Sequence, residues 1–367
     1  MKAKAAIFRE IGEGLTIEEI EVDDPAPDEV RVRTVACGVC HSDLHFMKGS
    51  IAGPRPAVPG HEPAGVVEAV GGNVRSVKEG DHVIACTSMF CGNCKQCMLG
   101  RPHLCSNRAA CRRAKGDKPR VTLAGNPISQ FADLGGFAEL MLLHEKAVVA
   151  IDDDLPLDRA SLVGCGVTTG VGAALNTAHV KPGSSVAVFG CGGVGVSVIQ
   201  GARLAGARQI IAIDVVPSKL DTARHFGATD VLLSGPDGEA DPVRAIKRLS
   251  RGGVDYAFDA VGIPALSAQC LYAVGPRGVA CIVGAIPQGQ KLEVEPGHFY
   301  LEKTLIGSIM GSNHFHIDAP NYLELYRQGK LDLDAMISAR VGLGEIDGAL
   351  AAMEAGEVTR SVIMFDA

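Results

Sequence analysis

Four cysteines, Cys91, Cys94, Cys97 and Cys105, follow one another as C-x2-C-x2-C-x7-C. Four soft thiolates in one short loop suit a tetrahedral zinc ion whose coordination they close, leaving no place for water, so such a site is structural. Iron–sulfur clusters also take four thiolates, but the common ferredoxin spacings differ. A second set is dispersed: Cys40 in CHSDLH, His61 in GHE and Cys165 in GCG. Two thiolates and an imidazole form the donor set of a zinc site with an open fourth position, which polarises an alcohol and lowers its pKa. Singly each residue is ambiguous, because a buried cysteine more often packs as a small hydrophobe than binds a metal.

A third constellation is Gly190-Cys191-Gly192-Gly193-Val194-Gly195, which fits G-x-G-x-x-G. In a chain with 45 glycines the pattern alone means little, so its context decides. The strand-like SSVAVF precedes it, a helical stretch through Leu204 follows, and QIIAID ends in Asp214, nineteen residues past Gly195. Gly190 permits the tight turn, Gly192 lets backbone approach a pyrophosphate, and Gly195 permits close packing of helix on strand. The helix N-terminus then offers N–H groups to phosphate. Asp214 would accept from the adenosine ribose hydroxyls and repel a 2′-phosphate, favouring NAD over NADP, with Lys219 on the same ribose.

Two kinds of element must position these groups. EVRVRTVA, PAGVVEAV and DHVIAC alternate valine with polar or small residues between Gly and Pro, as strands of a barrel or sandwich do. From about residue 184 strands alternate with helices: SSVAVF, QIIAID, DVLL, VDYAFDAV, GVACIVGA and TLIGSIM. Six such strands predict a doubly wound parallel sheet, so the fold class is α/β. Ser218 is expected to cap the helix KLDTARHF, and Asp241 to cap one with Pro242 at its first position. After Met310 a helix NYLELYRQG and a strand SVIMF return to the first domain.

Bulk composition sets the bounds. At roughly 150 residues per domain, 367 residues predict two domains. A 47% apolar content is far from disorder, and a net charge of −7 speaks against nucleic acid as a partner. No apolar run reaches the ~18 residues of a bilayer span. The opening MKAKAAIFREIGEG carries no signal-like apolar region, so the twelve cysteines point to metal and a reducing, cytoplasmic setting rather than to disulfides. Six of them (Cys37, Cys86, Cys111, Cys191, Cys270 and Cys281) have no ligand spacing. The basic stretch 108–120, RAACRRAKGDKPR, reads as a solvated loop, or else as a docking place for an acidic substrate tail.

With CGVCHSDLH, GHEPAGVVEAVG, the four-cysteine loop, GCGVTTG, GCGGVG with Asp214 and the terminal TRSVIMF, the chain resembles the zinc-dependent medium-chain alcohol dehydrogenases over nearly its whole length. The resemblance implies a GroES-like β-rich catalytic domain, residues 1–166 completed by 310–367, and a Rossmann NAD-binding domain of six parallel strands, residues 167–309. It implies two zinc ions per chain. Cys40, His61 and Cys165 match the catalytic ligands, and the four-cysteine loop matches the structural ones. Glu62 matches the acid beside the catalytic zinc, and Asp43 the carboxylate that orients His61. Ser42 would take the alcohol proton and pass it through a ribose hydroxyl to His45, while hydride goes to the nicotinamide. Thr169, His41 and Arg360 match cofactor-binding positions, the last two near the pyrophosphate. Thr87 is expected to line the substrate pocket.

The implied reaction is reversible oxidation of a primary or secondary alcohol to an aldehyde or ketone with NAD. A thiol-adduct (S-hydroxymethyl) formaldehyde dehydrogenase is the alternative, supported only by the basic stretch. A zinc- and dinucleotide-binding protein without turnover is a third reading. The partners expected are a small-molecule substrate and a second copy of the chain, with no nucleic acid and no membrane. The long segment between Cys105 and Cys165 resembles that of dimeric members more than tetrameric ones.

His41 departs from one common family pattern, in which an arginine stands there. A partly charged imidazole lacks the bidentate guanidinium fork. His41→Arg should therefore bind NADH more tightly, and wild-type affinity should fall as pH rises over about 6 to 9. A dissociation constant flat across that range, by fluorescence titration, would sink the expectation.

Overall fold

The computed structural model describes residues 1–365 in two compact units, Met1–Cys165 together with the chain from His314 onward, and Gly166–Asn313. The first unit is β-rich. Its largest sheet has seven strands, in the order Val148–Ile151, His82–Ala85, Glu62–Val70, Glu29–Gly38, Ser361–Met364 and Ala339–Gly342, with Leu140–His144 also paired to Glu29–Gly38. The central strand Glu29–Gly38 alternates buried valines with half-buried arginines, the pattern of a strand with one face in a core. Val30 and Val32 pack with Val67, Val83 and Leu143, while Phe8, Phe46, Phe137 and Leu142 anchor a second cluster.

The strand Ser361–Met364 lies antiparallel to Glu29–Gly38, with Val362 opposite Gly38. The strand expected from SVIMF thus completes the sheet of the first unit. The helix before it starts earlier than NYLELYRQG suggests, running from Phe315 to Arg327 with Pro320 at its sixth position.

The second unit is a six-stranded parallel sheet ordered Asp230–Leu233, Gln209–Asp214, Ser185–Phe189, Val254–Asp259, Val274–Ile282 and Thr304–Gly307. All six predicted strands are present. Ser185–Phe189 is buried throughout, as a central strand covered by helices on both faces must be. Asp241 caps its helix as expected, accepting from Arg244 N–H at 2.9 Å. Ser218 does not: Pro217 occupies the first helical position and pushes the start back to Val216, leaving Ser218 inside the helix. Among the described residues no helix is long and apolar enough to cross a membrane.

The basic stretch 108–120 is largely exposed, as a solvated loop is, but several of its cations are already paired within the unit. Arg113 donates to Glu29 Oε2 at 2.7 Å and to Asp23 Oδ2 at 2.6 Å, and Arg120 donates to Glu29 Oε1 at 2.6 Å. Arg112 forms a two-pronged pair with Asp133, both contacts at 2.7 Å, and Lys118 binds Asp23. Arg108 reaches the carbonyls of His103 and Thr87. Composition cannot reveal this, because Asp23 and Glu29 lie 90 and 84 residues upstream of Arg113 and Asp133 lies 21 residues downstream of Arg112.

Glu29 is 4% exposed at its side chain and stands between two guanidinium groups, so removing its charge takes the carboxylate from Arg120 and leaves Arg113 with Asp23 alone. Glu29→Gln should cost about 3 kcal/mol in urea unfolding. Burial would raise the Asp23 carboxyl, but Lys118 and Arg113 hold it at about 2; Glu29 is likewise held below its ordinary range by Arg113 and Arg120 against burial. Both are lowered relative to about 4 in the unfolded chain, so their contribution is present above about pH 4 and lost as pH falls toward about 2. Glu29→Gln should make the loss over that interval shallower.

Candidate functional site

The strand Glu29–Gly38 ends two residues before Cys40, which occupies the N-cap of the short helix His41–Met47 in extended conformation. Asp43, in the first turn, is fully buried and accepts from Cys40 N–H at 3.2 Å and Gly60 N–H at 3.0 Å. Its Oδ1 also faces His61 Nδ1 at 2.9 Å. A carboxylate can only accept there, so Nδ1 carries the proton and Nε2 keeps a lone pair. That Nε2 is buried and has no hydrogen-bond partner.

Glu62 opens the next strand, and Cys165 follows the turn Leu162–Gly164. One donor atom from each of Cys40, His61, Glu62 and Cys165 lies within 4.8 Å of the others, and all four residues are buried. An orphaned imidazole nitrogen converging with two thiols is what a zinc site requires, since a buried polar atom without a partner is otherwise costly.

Electrostatics favour a thiolate at Cys40. Hydrogen bonding from Cys165 pulls the Cys40 thiol well down, and that same bond, with burial, pushes Cys165 up. Burial raises the Glu62 carboxyl to about 8 against the attraction of Arg360. The Arg360 guanidinium, 3% exposed, stands 3.1 Å from Glu62 Oε1 without hydrogen-bond alignment and donates to the Val39 carbonyl at 3.1 Å. Arg360 is thus a buried positive charge beside Glu62. The parallel strands that close the sheet bring it there, which no local pattern announces.

Ser42 Oγ lies 3.9 Å from the Cys40 sulfur. His45 follows one helical turn later, its ring 6.4 Å from that of His41, and no hydrogen bond links Ser42 to His45 directly. Thr87 stands half-buried two residues beyond the strand His82–Ala85, which ends one residue before Cys86. One residue had no motif to mark it: Phe131 is half-buried, stacks on Phe46 at 4.5 Å and meets the His61 ring edge-on at 5.6 Å.

In the four-cysteine loop the Cys94 sulfur is 3.5 Å from Cys97 and 3.9 Å from Cys105. Zn–S bonds of about 2.3 Å place tetrahedral sulfurs about 3.8 Å apart, so the spacing fits. Backbone N–H groups of Cys91 and Cys94 donate to the sulfurs of Cys105 and Cys91, both at 3.3 Å. Hydrogen bonds from Cys97 and Ser106 bring the Cys94 thiol down to about 5, and burial takes Cys97 up to about 12. Lys146 Nζ anchors the loop through the Cys91 carbonyl at 3.1 Å. Among the described residues all twelve cysteines are free of disulfides.

In the second unit, Gly192 caps the helix Gly193–Leu204, which holds Val194 and Gly195 in its first turn. Gly190 has φ +89°, and a Cβ on Gly195 would sit 1.8 Å from the Gly190 carbonyl oxygen, so neither position tolerates a side chain. Asp214 ends its strand with Oδ2 accepting from Cys191 N–H at 2.7 Å and Oδ1 from Val216 N–H at 2.9 Å. Lys219 lies half-buried in the next helix. Thr169 is buried in the helix Gly166–Gly172, its hydroxyl 3.6 Å from Met310 Sδ.

A model of the alcohol dehydrogenase GroES-like domain matches residues 26–153, and a model of the zinc-binding dehydrogenase domain matches 193–328. The chain is similar to an alcohol dehydrogenase zinc-binding domain protein from Burkholderia ambifaria, with 36% identity and TM-score 0.94. It is similar to benzyl alcohol dehydrogenase from Acinetobacter calcoaceticus, with 32% identity and TM-score 0.93. A zinc-binding dehydrogenase of Sinorhizobium meliloti 1021, bound to NADP, shares 27% identity at TM-score 0.80. In all three comparisons 100% of both chains is covered.

Since the two donor clusters share no residue, each should lose metal alone. Cys97→Ser should remove about one zinc equivalent by atomic absorption and lower the Tm, while the Cys40 cluster keeps its metal. Unchanged zinc content and Tm would contradict a structural role for the loop.

Proposed function

Because this chain belongs to the zinc-dependent medium-chain alcohol dehydrogenases, we propose that it catalyses reversible NAD-dependent oxidation of an alcohol to an aldehyde or ketone. The observation that carries this reading is the buried convergence of Cys40, His61 and Cys165, with Asp43 holding the imidazole so that Nε2 stays free. Zinc held by such a set supplies Lewis-acid polarisation of an alcohol oxygen, and a nicotinamide dinucleotide supplies a hydride acceptor.

The chain's own residues do the rest. Cys40 and Cys165 contribute negative charge, and Arg360 offsets it beside Glu62, so the site avoids a large uncompensated charge. Ser42 Oγ, next to the Cys40 sulfur, takes the alcohol proton. His45, a turn further along the helix and half-buried, delivers it to water. The cytoplasm, being reducing, fits six metal-binding thiolates and one imidazole of this kind.

Asp214 supports NAD over NADP. Its buried carboxylate at the strand end would repel a 2′-phosphate, and it is already fixed by two backbone N–H groups. Phe131 supports an aromatic alcohol as substrate, since it places a half-buried ring beside His61, and the Acinetobacter enzyme at 32% identity is a benzyl alcohol dehydrogenase. The thiol-adduct reading comes second, because Arg113 and Arg120, two of the cations that would draw an acidic tail, are paired with Glu29.

The test is an alcohol panel, aliphatic and aromatic, read as NADH absorbance with NAD and with NADP. Benzylic alcohols with NAD should give the highest kcat/KM, and Asp214→Gly should narrow the NAD preference by about tenfold or more. Zinc-replete protein inert on the whole panel would refute the proposal. Turnover that needs formaldehyde plus a thiol would restore the alternative.

A further inference from the structure

The strand Val254–Asp259 ends in an aspartate to which the proposed reaction gives no role. Asp259 is fully buried. Its Oδ1 accepts from the backbone N–H groups of Val261 and Gly262, each at 2.9 Å, and its Oδ2 accepts from Ser267 Oγ at 2.6 Å. Its carbonyl oxygen accepts from Val283 N–H at 2.9 Å and Gly284 N–H at 2.8 Å. One residue therefore ties together the loop 260–262, the helix Pro264–Ala273 and the turn after Val274–Ile282. A carboxylate accepts from all three donors as they stand, while an amide keeps the same three contacts once the Ser267 hydroxyl turns to accept.

The loop that Asp259 holds lies on the glycine turn. A Cβ at Gly190 would come 2.4 Å from Val261 Cγ2, and one at Gly195 would come 3.6 Å from Ala260 Cβ. Ala260 N–H donates to the Phe189 carbonyl at 2.9 Å. In the sheet, Ser185–Phe189 has Gln209–Asp214 on one side and Val254–Asp259 on the other. The strand order reverses there, and open parallel sheets bind ligands at the carboxyl ends of strands at such a point. Asp214 closes one wall of that crevice through Cys191 and Val216, and Asp259 closes the opposite wall in the same manner.

We propose that Asp259 is a positioning residue for the dinucleotide: it holds the loop 260–262 against the glycine turn and so fixes Val261, 40% exposed, as the crevice wall facing Asp214. The proposal rests on the dinucleotide reading of the preceding subsection. Loss of the carboxylate frees three donors at once and lets Val261 move over the turn where the pyrophosphate must approach. Asparagine preserves the arrangement, because its oxygen serves Val261 and Gly262 while its amide donates to Ser267 Oγ.

The test pairs NADH fluorescence titration with steady-state kinetics on Asp259→Ala, Asp259→Asn and Ser267→Ala. Asp259→Ala should raise the NADH Kd and the KM for NAD about tenfold, with kcat at saturating cofactor and alcohol KM within about twofold. Asp259→Asn should stay within about threefold of wild type in every constant. A folded Asp259→Ala protein with wild-type NADH affinity overturns the proposal. So does a loss spread equally over kcat, both KM values and Tm in the Ala and Asn variants, which would make the role structural only. If Asp259→Ala does not fold, Ser267→Ala decides: it removes one donor and should raise the KM for NAD about threefold, and no change overturns the proposal. Wild-type protein that binds neither NADH nor NADPH defeats the dinucleotide reading and this one together. Wild-type binding matched by Asp259→Ala defeats this one alone.

Discussion

A single buried carboxylate organises the first unit's site. Asp43 accepts from Cys40 N–H and Gly60 N–H and meets His61 Nδ1, so it fixes a helix start, a turn and an imidazole at once. The helix that carries it has seven residues, too few to persist on its own in water. Its place is secured from outside, by these bonds and by Phe46 and Met47 packed in the core beneath it. With both oxygens engaged, the carboxylate leaves His61 one protonation pattern, and with it one nitrogen for a metal. Ser42 and His45 inherit their positions from the same helix.

Around that anchor the charges balance without water. Arg360 enters beside Glu62 because the strand that follows it is hydrogen-bonded to the strand Glu29–Gly38. A buried guanidinium is tolerable only opposite an anion, and the Cys40 thiol, pulled well down by the Cys165 hydrogen bond and by Arg360, provides one. At the other end of the same strand, Glu29 sits between Arg113 and Arg120. One strand thus carries a buried ion pair network at its start and leads into the donor cluster at its finish.

How much of this could be read from residues alone follows from how local each feature is. The four-cysteine loop spans 15 residues, so spacing alone declares it. The six parallel strands are equally legible, since each is a short apolar run set off by a helix or a glycine turn. Ser218 misled because two cap signals stood side by side, and Pro217, with its fixed φ, prevailed. The basic stretch and Arg360 could not be placed, because their partners come from segments distant in sequence and burial is set by the sheet. Phe131 and Asp259 were illegible for another reason: a lone phenylalanine and a strand-terminal aspartate are common, and only their neighbours distinguish them.

The pairing of Ser361–Met364 with Glu29–Gly38 also sets an order of events during synthesis. Cys40, His61 and Cys165 are all made before the second unit begins, whereas Arg360 and the strand after it are made once that unit, about 150 residues, is finished. At roughly 5–20 residues per second, the interval is on the order of 10 to 30 seconds. For that time the nascent chain holds the donor thiols with an open sheet edge and without their counter-charge. The cluster reaches its final electrostatic setting only when the returning strand pairs with Glu29–Gly38 and brings Arg360 in beside Glu62.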